Sequence, residues 1–268
     1  MKKEVLKTLV FDLDGTLYQN LEFHRPYMRM LLEGSHYEKM DAEIIGLVDE
    51  ILNGSFLRMN LFYDLRGLPM VSTMDQLREV LFDAIRPDLE LERIYEQGSS
   101  VYLNAGDAYS VVRMVATGLH IPKRKQNECY FRIRKVVEEA MSPDPELAQI
   151  LSLLRMKYQV ILATNSPKET SDQVLSTLGM LDSFDAVLYN ADKPFGLKMH
   201  LNESFAGILK NPESVLSIGD YRFNEIDNFE LWGTQTMWVC PYKYATKEVY
   251  DPYLKDMEDV KDFLRRLG

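Results

Sequence analysis

Apolar residues along this chain recur in two rhythms, and the change between them divides it. Across residues 41–52, 74–85, 107–119 and 128–140 they return every three or four positions, the period of a helix with one buried face. Turn formers separate these stretches: Asn53-Gly54, Gly67-Leu68-Pro69, Arg86-Pro87 and Gly98-Ser99-Ser100. After Met141-Ser142-Pro143-Asp144-Pro145, helical stretches alternate with short apolar runs: helix 146–156, strand 160–163, helix 168–178, strand 186–189, helix 199–209, strand 215–218, a helix around 228–232 and strand 236–240. That alternation predicts an α/β fold with a doubly wound parallel sheet. Leu9-Val10-Phe11, near the start, is apolar throughout and reads as a central strand of the same sheet. The expected organisation is therefore a discontinuous core, residues 1–17 and 144–268, with a mainly helical insertion, residues 18–143.

Composition narrows the class without naming a chemistry. With 268 residues, 46% hydrophobic and 27% charged, the chain has the make-up of a globular enzyme of one or two domains. Its net charge of −10 argues against a nucleic-acid-binding face. No stretch approaches the ~18 apolar residues of a membrane span, and the start, Met1-Lys2-Lys3-Glu4-Val5, lacks the apolar run of a signal peptide. Only two cysteines occur, Cys129 and Cys240, and they form no Cys-x-x-Cys pair. The expectation is a cytoplasmic protein, monomeric or homodimeric. Four scattered histidines (His24, His36, His120, His200) offer no zinc spacing. Neither a Gly-x-Gly-x-x-Gly turn nor a Gly-x4-Gly-Lys-Ser/Thr loop is present.

The chemistry begins where the first strand ends. Asp12 and Asp14 stand two apart after Phe11 and directly before Gly15, at the strand end where a doubly wound sheet binds its ligands. Alone, Asp-x-Asp-Gly is equally an acidic turn. The longer string Phe11-Asp-Leu-Asp-Gly-Thr-Leu-Tyr18, however, closely resembles the first motif of the haloacid dehalogenase (HAD) superfamily, whose core is a Rossmann-like parallel sheet. The resemblance implies that Asp12 attacks phosphorus and that Asp14 protonates the leaving oxygen.

Three later motifs follow in the order the resemblance requires. Val160-Ile-Leu-Ala-Thr164-Asn165-Ser-Pro ends an apolar run in a hydroxyl. Thr164 by itself would read as a helix cap; after the first motif it fits the phosphate-binding position, with Asn165 beside it. Ser214-Val-Leu-Ser-Ile-Gly219-Asp220 leads into an acidic loop with Glu225 five residues after Asp220, where the family more often carries Asp. Asp227 competes for that role at the wrong spacing and reads as a solvated helix position. For the lysine that offsets repulsion between nucleophile and substrate, Lys193 before Pro194 is preferred to Lys198. The implied Mg²⁺ ligands are Asp12, Asp14 through its backbone carbonyl, Asp220 and Glu225, all oxygen donors suited to a hard cation.

Asp14 also separates chemistries within the superfamily, because only an ester needs its departing alkoxide protonated. The expectation is an Mg²⁺-dependent phosphatase acting on a small phosphorylated metabolite, nucleotidase-like or directed at a sugar phosphate. The alternatives are a phosphomutase or a HAD-like binding protein with negligible turnover. Substrate identity would be set in the inserted cap, where Arg58, Arg66, Arg113, Phe56, Phe62 and Tyr63 are candidates, though core packing is the commoner use of such aromatics. Lys123-Arg124-Lys125 reads as a solvated loop between helices.

Overall fold

The order of elements in the computed structural model, which describes residues 2–242 and 253–268, places one strand far from its neighbours in sequence. After β1 (Thr8–Phe11) come α1 (His24–Leu32), α2 (Asp41–Leu52), β2 (Phe62–Tyr63), α3 (Met74–Asp83), β3 (Ile85–Arg86), α4 (Leu91–Gln97), β4 (Leu103–Asn104), α5 (Ala108–Gly118) and α6 (Lys123–Glu139). The chain then runs through α7 (Pro145–Leu154), β5 (Gln159–Ala163), α8 (Lys168–Leu178), β6 (Ala186–Leu188) and α9 (Leu197–Ser204). It closes with β7 (Val215–Gly219), α10 (Asp227–Leu231), β8 (Gln235–Val239), β9 (Tyr253–Leu254) and α11 (Met257–Leu267).

Six strands form a parallel sheet in the order β6-β5-β1-β7-β8-β9. Phe11 pairs with Leu162 on one side and Ile218 on the other, so Asp12, Thr164 and Asp220 all emerge at the same sheet edge. The chain leaves β1 through β5 and β6 on one side and returns through β7 on the other. Such a reversal of strand order opens a crevice beyond the strand ends.

Both faces of the sheet are covered, which is why its strands read as unbroken apolar runs. Leu9, Phe11, Leu162 and Leu216 pack against Leu151, Leu175 and Leu264 from α7, α8 and α11. Val10, Ile161 and Ala163 point the other way, onto Leu197, Leu201 and Phe229. The α11 helix, unforeseen above, buries Val260, Phe263, Leu264 and Leu267 at three- and four-residue spacing.

The helices after β1 share a separate apolar cluster that includes Met28, Leu31, Ile44, Val48, Leu81, Val111, Val115 and Ile133. Asp107 starts α5 with a capping box, its carboxylate accepting the Ser110 N–H while Ser110 Oγ accepts the Asp107 N–H. Two expectations need correcting here. The helix expected to 85 stops at Asp83, because Ile85 pairs with Tyr63 in a small antiparallel sheet, β3-β2-β4, whose two-residue strands are too short for a period to register. The α1 and α4 helices lie outside the stretches whose periodicity predicts a helix. Finally, Lys123-Arg124-Lys125 is the first turn of α6, not a solvated loop.

Candidate active site

The end of β1 is a knot of charge. The Asp12 N–H continues the sheet by donating to Ile218 O at 3.0 Å, which turns the side chain into the crevice. There Lys193 Nζ lies 2.5 Å from Asp12 Oδ1 and 2.7 Å from Glu225 Oε1, all three residues being buried. Thr16 Oγ1 donates to Asp12 Oδ2 at 3.2 Å. Asn165, expected beside a phosphate, instead clamps the lysine: its Oδ1 accepts the Lys193 N–H at 2.7 Å and its Nδ2 donates to Lys193 O at 3.1 Å. Lys198 is elsewhere, over the Trp232 ring.

Glu225 is turned toward the lysine, with its other oxygen, Oε2, accepting the Tyr221 N–H at 3.0 Å. A side chain at Gly219 would place a Cβ 2.5 Å from Glu225 Cβ, so the glycine is what lets the loop fold this closely. Asp227 is not solvated as expected but pairs with Arg222, at 2.6 Å from its Nη2. Burial pushes the carboxyls of Asp12 and Glu225 up, an effect that Lys193 opposes. Burial would lower the Lys193 ammonium, but the two carboxylates outweigh it and hold the lysine charged.

Asp220 completes the floor. Gly15, at φ +82°, lets the turn after Asp14 pass so close that an added Cβ would lie 2.1 Å from Asp220 Oδ2. Burial and the nearby Asp12 carboxylate push the Asp220 carboxyl well above its ordinary value. Among the described residues its carboxylate accepts no hydrogen bond, an arrangement suited to a cation rather than to a protein donor. No three acidic, histidine or cysteine side chains among the described residues form a complete metal cage. Two carboxylates, a backbone carbonyl and water are nevertheless an ordinary oxygen set for Mg²⁺, and Asp12, Asp220 and the Asp14 carbonyl fit it.

Asp14 is held from above. Its Oδ1 accepts a 2.8 Å hydrogen bond from Arg134 Nη1 and a second from the Tyr18 hydroxyl, while Ser166 Oγ lies 3.4 Å from Oδ2. Arg134 is a buried residue of α6, and sequence reasoning missed it. The available signal was its place in Tyr130, Arg134 and Val137, the spacing of an inward face, where an unpaired arginine would be costly. Thr164 is buried, and Oγ1 accepts the Ser166 N–H at 3.1 Å; it does not cap α8, which has no side-chain cap.

Above these groups opens a cavity of about 1170 Å³. Asp12, Asp14, Thr164, Lys193, Asp220 and Glu225 line its floor, and residues of α5 and α6 line its wall. Of the cap candidates, Arg66 and Arg113 line it and Arg58 does not; Arg66 is committed to Asp64 through two hydrogen bonds of 2.8 Å. Phe62 packs on Phe223, Tyr63 is buried in the cap cluster, and Phe56 lies against Arg78. No helix among the described residues is long and apolar enough to cross a membrane.

Known proteins share the fold of this chain. The fold is similar to that of the magnesium-bound HAD-hydrolase YfnB from Bacillus subtilis (TM-score 0.54, 16% identity, 97% of this chain and 99% of that one). It is also similar to a protein assigned as a phosphoglycolate phosphatase from Haemophilus somnus (TM-score 0.51, 14% identity, 98% and 99%). A third likeness is to one assigned as a β-phosphoglucomutase from Thermotoga maritima (TM-score 0.50, 14% identity, 98% and 100%). No curated protein matches the sequence. The family model for haloacid dehalogenase-like hydrolases matches residues 6–220, from the strand before Asp12 to Asp220 itself, and the chain therefore belongs to that family of hydrolases.

Proposed function

We propose that this hydrolase is an Mg²⁺-dependent phosphatase that cleaves a small phosphate monoester through an aspartyl-phosphate intermediate, with residues 1–17 and 144–268 carrying the chemistry and 18–143 acting as a cap. The observation that carries the reading is the pairing of Asp12 with Lys193 and Glu225 directly beside an Asp14 held by Arg134 and Tyr18. One carboxylate is placed as nucleophile, and a second, two residues on, is placed as acid and base.

In the first step an Asp12 oxygen forms a bond to phosphorus as the bond to the ester oxygen breaks, and Asp14 delivers its proton to the departing alkoxide. In the second, water attacks the phosphorus of the acyl phosphate, Asp14 takes its proton, and the Asp12 carboxylate and inorganic phosphate are released. Lys193 offsets the repulsion between Asp12 and an anionic substrate, and Glu225 holds the lysine where it does so. The Thr164 hydroxyl and the Asn165 N–H, in the turn after β5, supply donors to the phosphoryl oxygens without adding charge. A bound Mg²⁺, held by Asp12, Asp220 and the Asp14 carbonyl, would neutralise charge on the phosphoryl group. Arg134 and Tyr18 fix Asp14 Oδ1, so the proton is carried on Oδ2, beside the Ser166 hydroxyl at 3.4 Å.

The test is phosphate release from a panel of monoesters by wild type and Asp12→Asn, with and without a chelator. Release by wild type that depends on added Mg²⁺ and disappears in Asp12→Asn supports the reading. Equal release by both proteins, or release untouched by chelation, overturns it.

A further inference from the structure

The cavity is far larger than a phosphate needs, and its charge is sorted. The acidic residues that line it, Asp12, Asp14, Asp107, Asp220 and Glu225, gather at the floor. The wall made by α5 and α6 contributes Arg113, Lys123 and Arg134, and no lining residue between 109 and 134 is acidic. In a chain with 41 acidic and 31 basic residues, an acid-free basic wall runs against composition.

The wall is continuous. The two helices lie side by side, with the Tyr109 and Tyr130 rings 5.5 Å apart edge to face near the floor and Gln126 Nε2 donating to Thr117 Oγ1 at 3.5 Å toward the rim. On α6, Arg134, Tyr130, Asn127 and Lys123 follow one another at helical spacing and all line the cavity, so the stripe runs roughly 16 Å from Asp14 outward. On α5, Arg113 stands one turn, about 6 Å, beyond Tyr109. Among the described residues the side chains of Arg113 and Lys123 make no ion pair, unlike Arg66, which Asp64 occupies. At the inner end two buried polar atoms, Arg134 Nη2 and the Tyr109 hydroxyl, lack hydrogen-bond partners. Buried groups of this kind normally find one, so they call for a ligand oxygen.

We infer that the α5–α6 wall binds a second anionic group of the substrate, a carboxylate or a further phosphate held by Arg113 and Lys123, with the polar body of the ester against Arg134 and Tyr109. This rests on the reading of the floor as a phosphate-monoester site. It narrows the substrate class to elongated esters with negative charge at both ends. The floor selects the phosphate, and the wall selects what is attached to it.

Matched pairs of probes test this: phenyl phosphate against para-carboxyphenyl phosphate, and hexyl phosphate against hexanediol bisphosphate. Binding to full-length Asp12→Asn protein is measured by calorimetry with Mg²⁺ present, so the result does not depend on turnover. The doubly anionic member of at least one pair is expected to bind about tenfold tighter, the scale of one charge-assisted hydrogen bond. Adding Arg113→Gln and Lys123→Gln should collapse that ratio, and the charge-reversing Lys123→Glu should invert it. Equal binding within both pairs, or a ratio that survives the substitutions, overturns the inference. Failure of wild type to hydrolyse any probe would instead count against the phosphatase reading, while the calorimetric ratios still judge the wall.

Discussion

On the floor of the cavity, Lys193 pairs with both Asp12 and Glu225, three side chains from separate stretches of the chain, whereas the roof sends Arg134 from one long helix to a carboxylate of the other layer. The floor is closed on itself, and strand register sets where Asp12, Thr164 and Asp220 stand. The roof is open, with polar atoms left unpaired and a basic wall facing the space where substrate would lie. Groups that must act identically on every phosphoryl group are best held rigidly by neighbouring strands. Groups that discriminate among substrates can sit on the other layer, which meets the floor through Arg134 to Asp14, Tyr221 to the Asn104 carbonyl and Tyr95 to the Phe223 carbonyl.

The largest expected effect tests the floor. Asp12→Asn should lower phosphate release by roughly 10⁴-fold or more, as loss of a nucleophile does; substantial residual turnover would reduce the floor to a structural ion cluster. Next, Lys193→Met should cost about 10²–10³ in turnover. It should also cost about 3 kcal/mol in urea unfolding, because two buried carboxylates lose the ammonium they share. Combining it with Glu225→Gln should restore part of the stability and none of the activity. If stability is unchanged by either, the floor is not held together by this pairing.

Arg134→Ala addresses the roof and should lower kcat by about tenfold, the value of a charge-assisted hydrogen bond. Arg134→Lys should recover little, since one ammonium cannot span Asp14 at 2.8 Å and Glu138 at 3.7 Å as the guanidinium does. A full-rate Arg134→Ala enzyme would separate the roof from the acid/base step. The smallest effect lies at the cluster of the buried Lys261 with Asp144 and the exposed Glu146 and Glu258. Burial pushes the Asp144 carboxyl up, but the Leu147 N–H and Lys261 outweigh it; Arg265 and Lys261 hold Glu146 low. Both carboxyls therefore sit below their ordinary values. Their contribution is complete above those values and disappears as pH falls through the lowered ones. Lys261→Met should flatten the acid limb of a Tm-against-pH curve slightly; an unchanged curve would show the cluster to be inert.

How legible each region was in the sequence follows the same division. The helices at Asp41–Leu52 and Lys168–Leu178 have the bounds their periodicity predicts, and the strand ends at Asp12, Thr164 and Asp220 meet at one edge as expected. Each of these is encoded locally, by residues adjacent to one another in the chain. The roof resisted because its evidence is long-range: Arg134 and Asp14 are 120 positions apart, and an arginine on a helix face reads as solvated until its partner is known. Asn165 lines the cavity as its place after the second strand predicts, but its commitment to Lys193 depends on a loop 28 residues away.

The sequence by itself determined the sheet, its apolar strands and the residue types at their ends, because a strand buried on both faces must be apolar and can place carboxylates only where it stops. The tertiary structure alone decided that Lys193 reaches Asp12 and Glu225 together, that Glu225 faces that lysine, and that a buried arginine from α6 closes over Asp14. Those outcomes depend on which charges can satisfy one another once water is removed, and that balance exists only after distant loops have been brought within hydrogen-bonding distance.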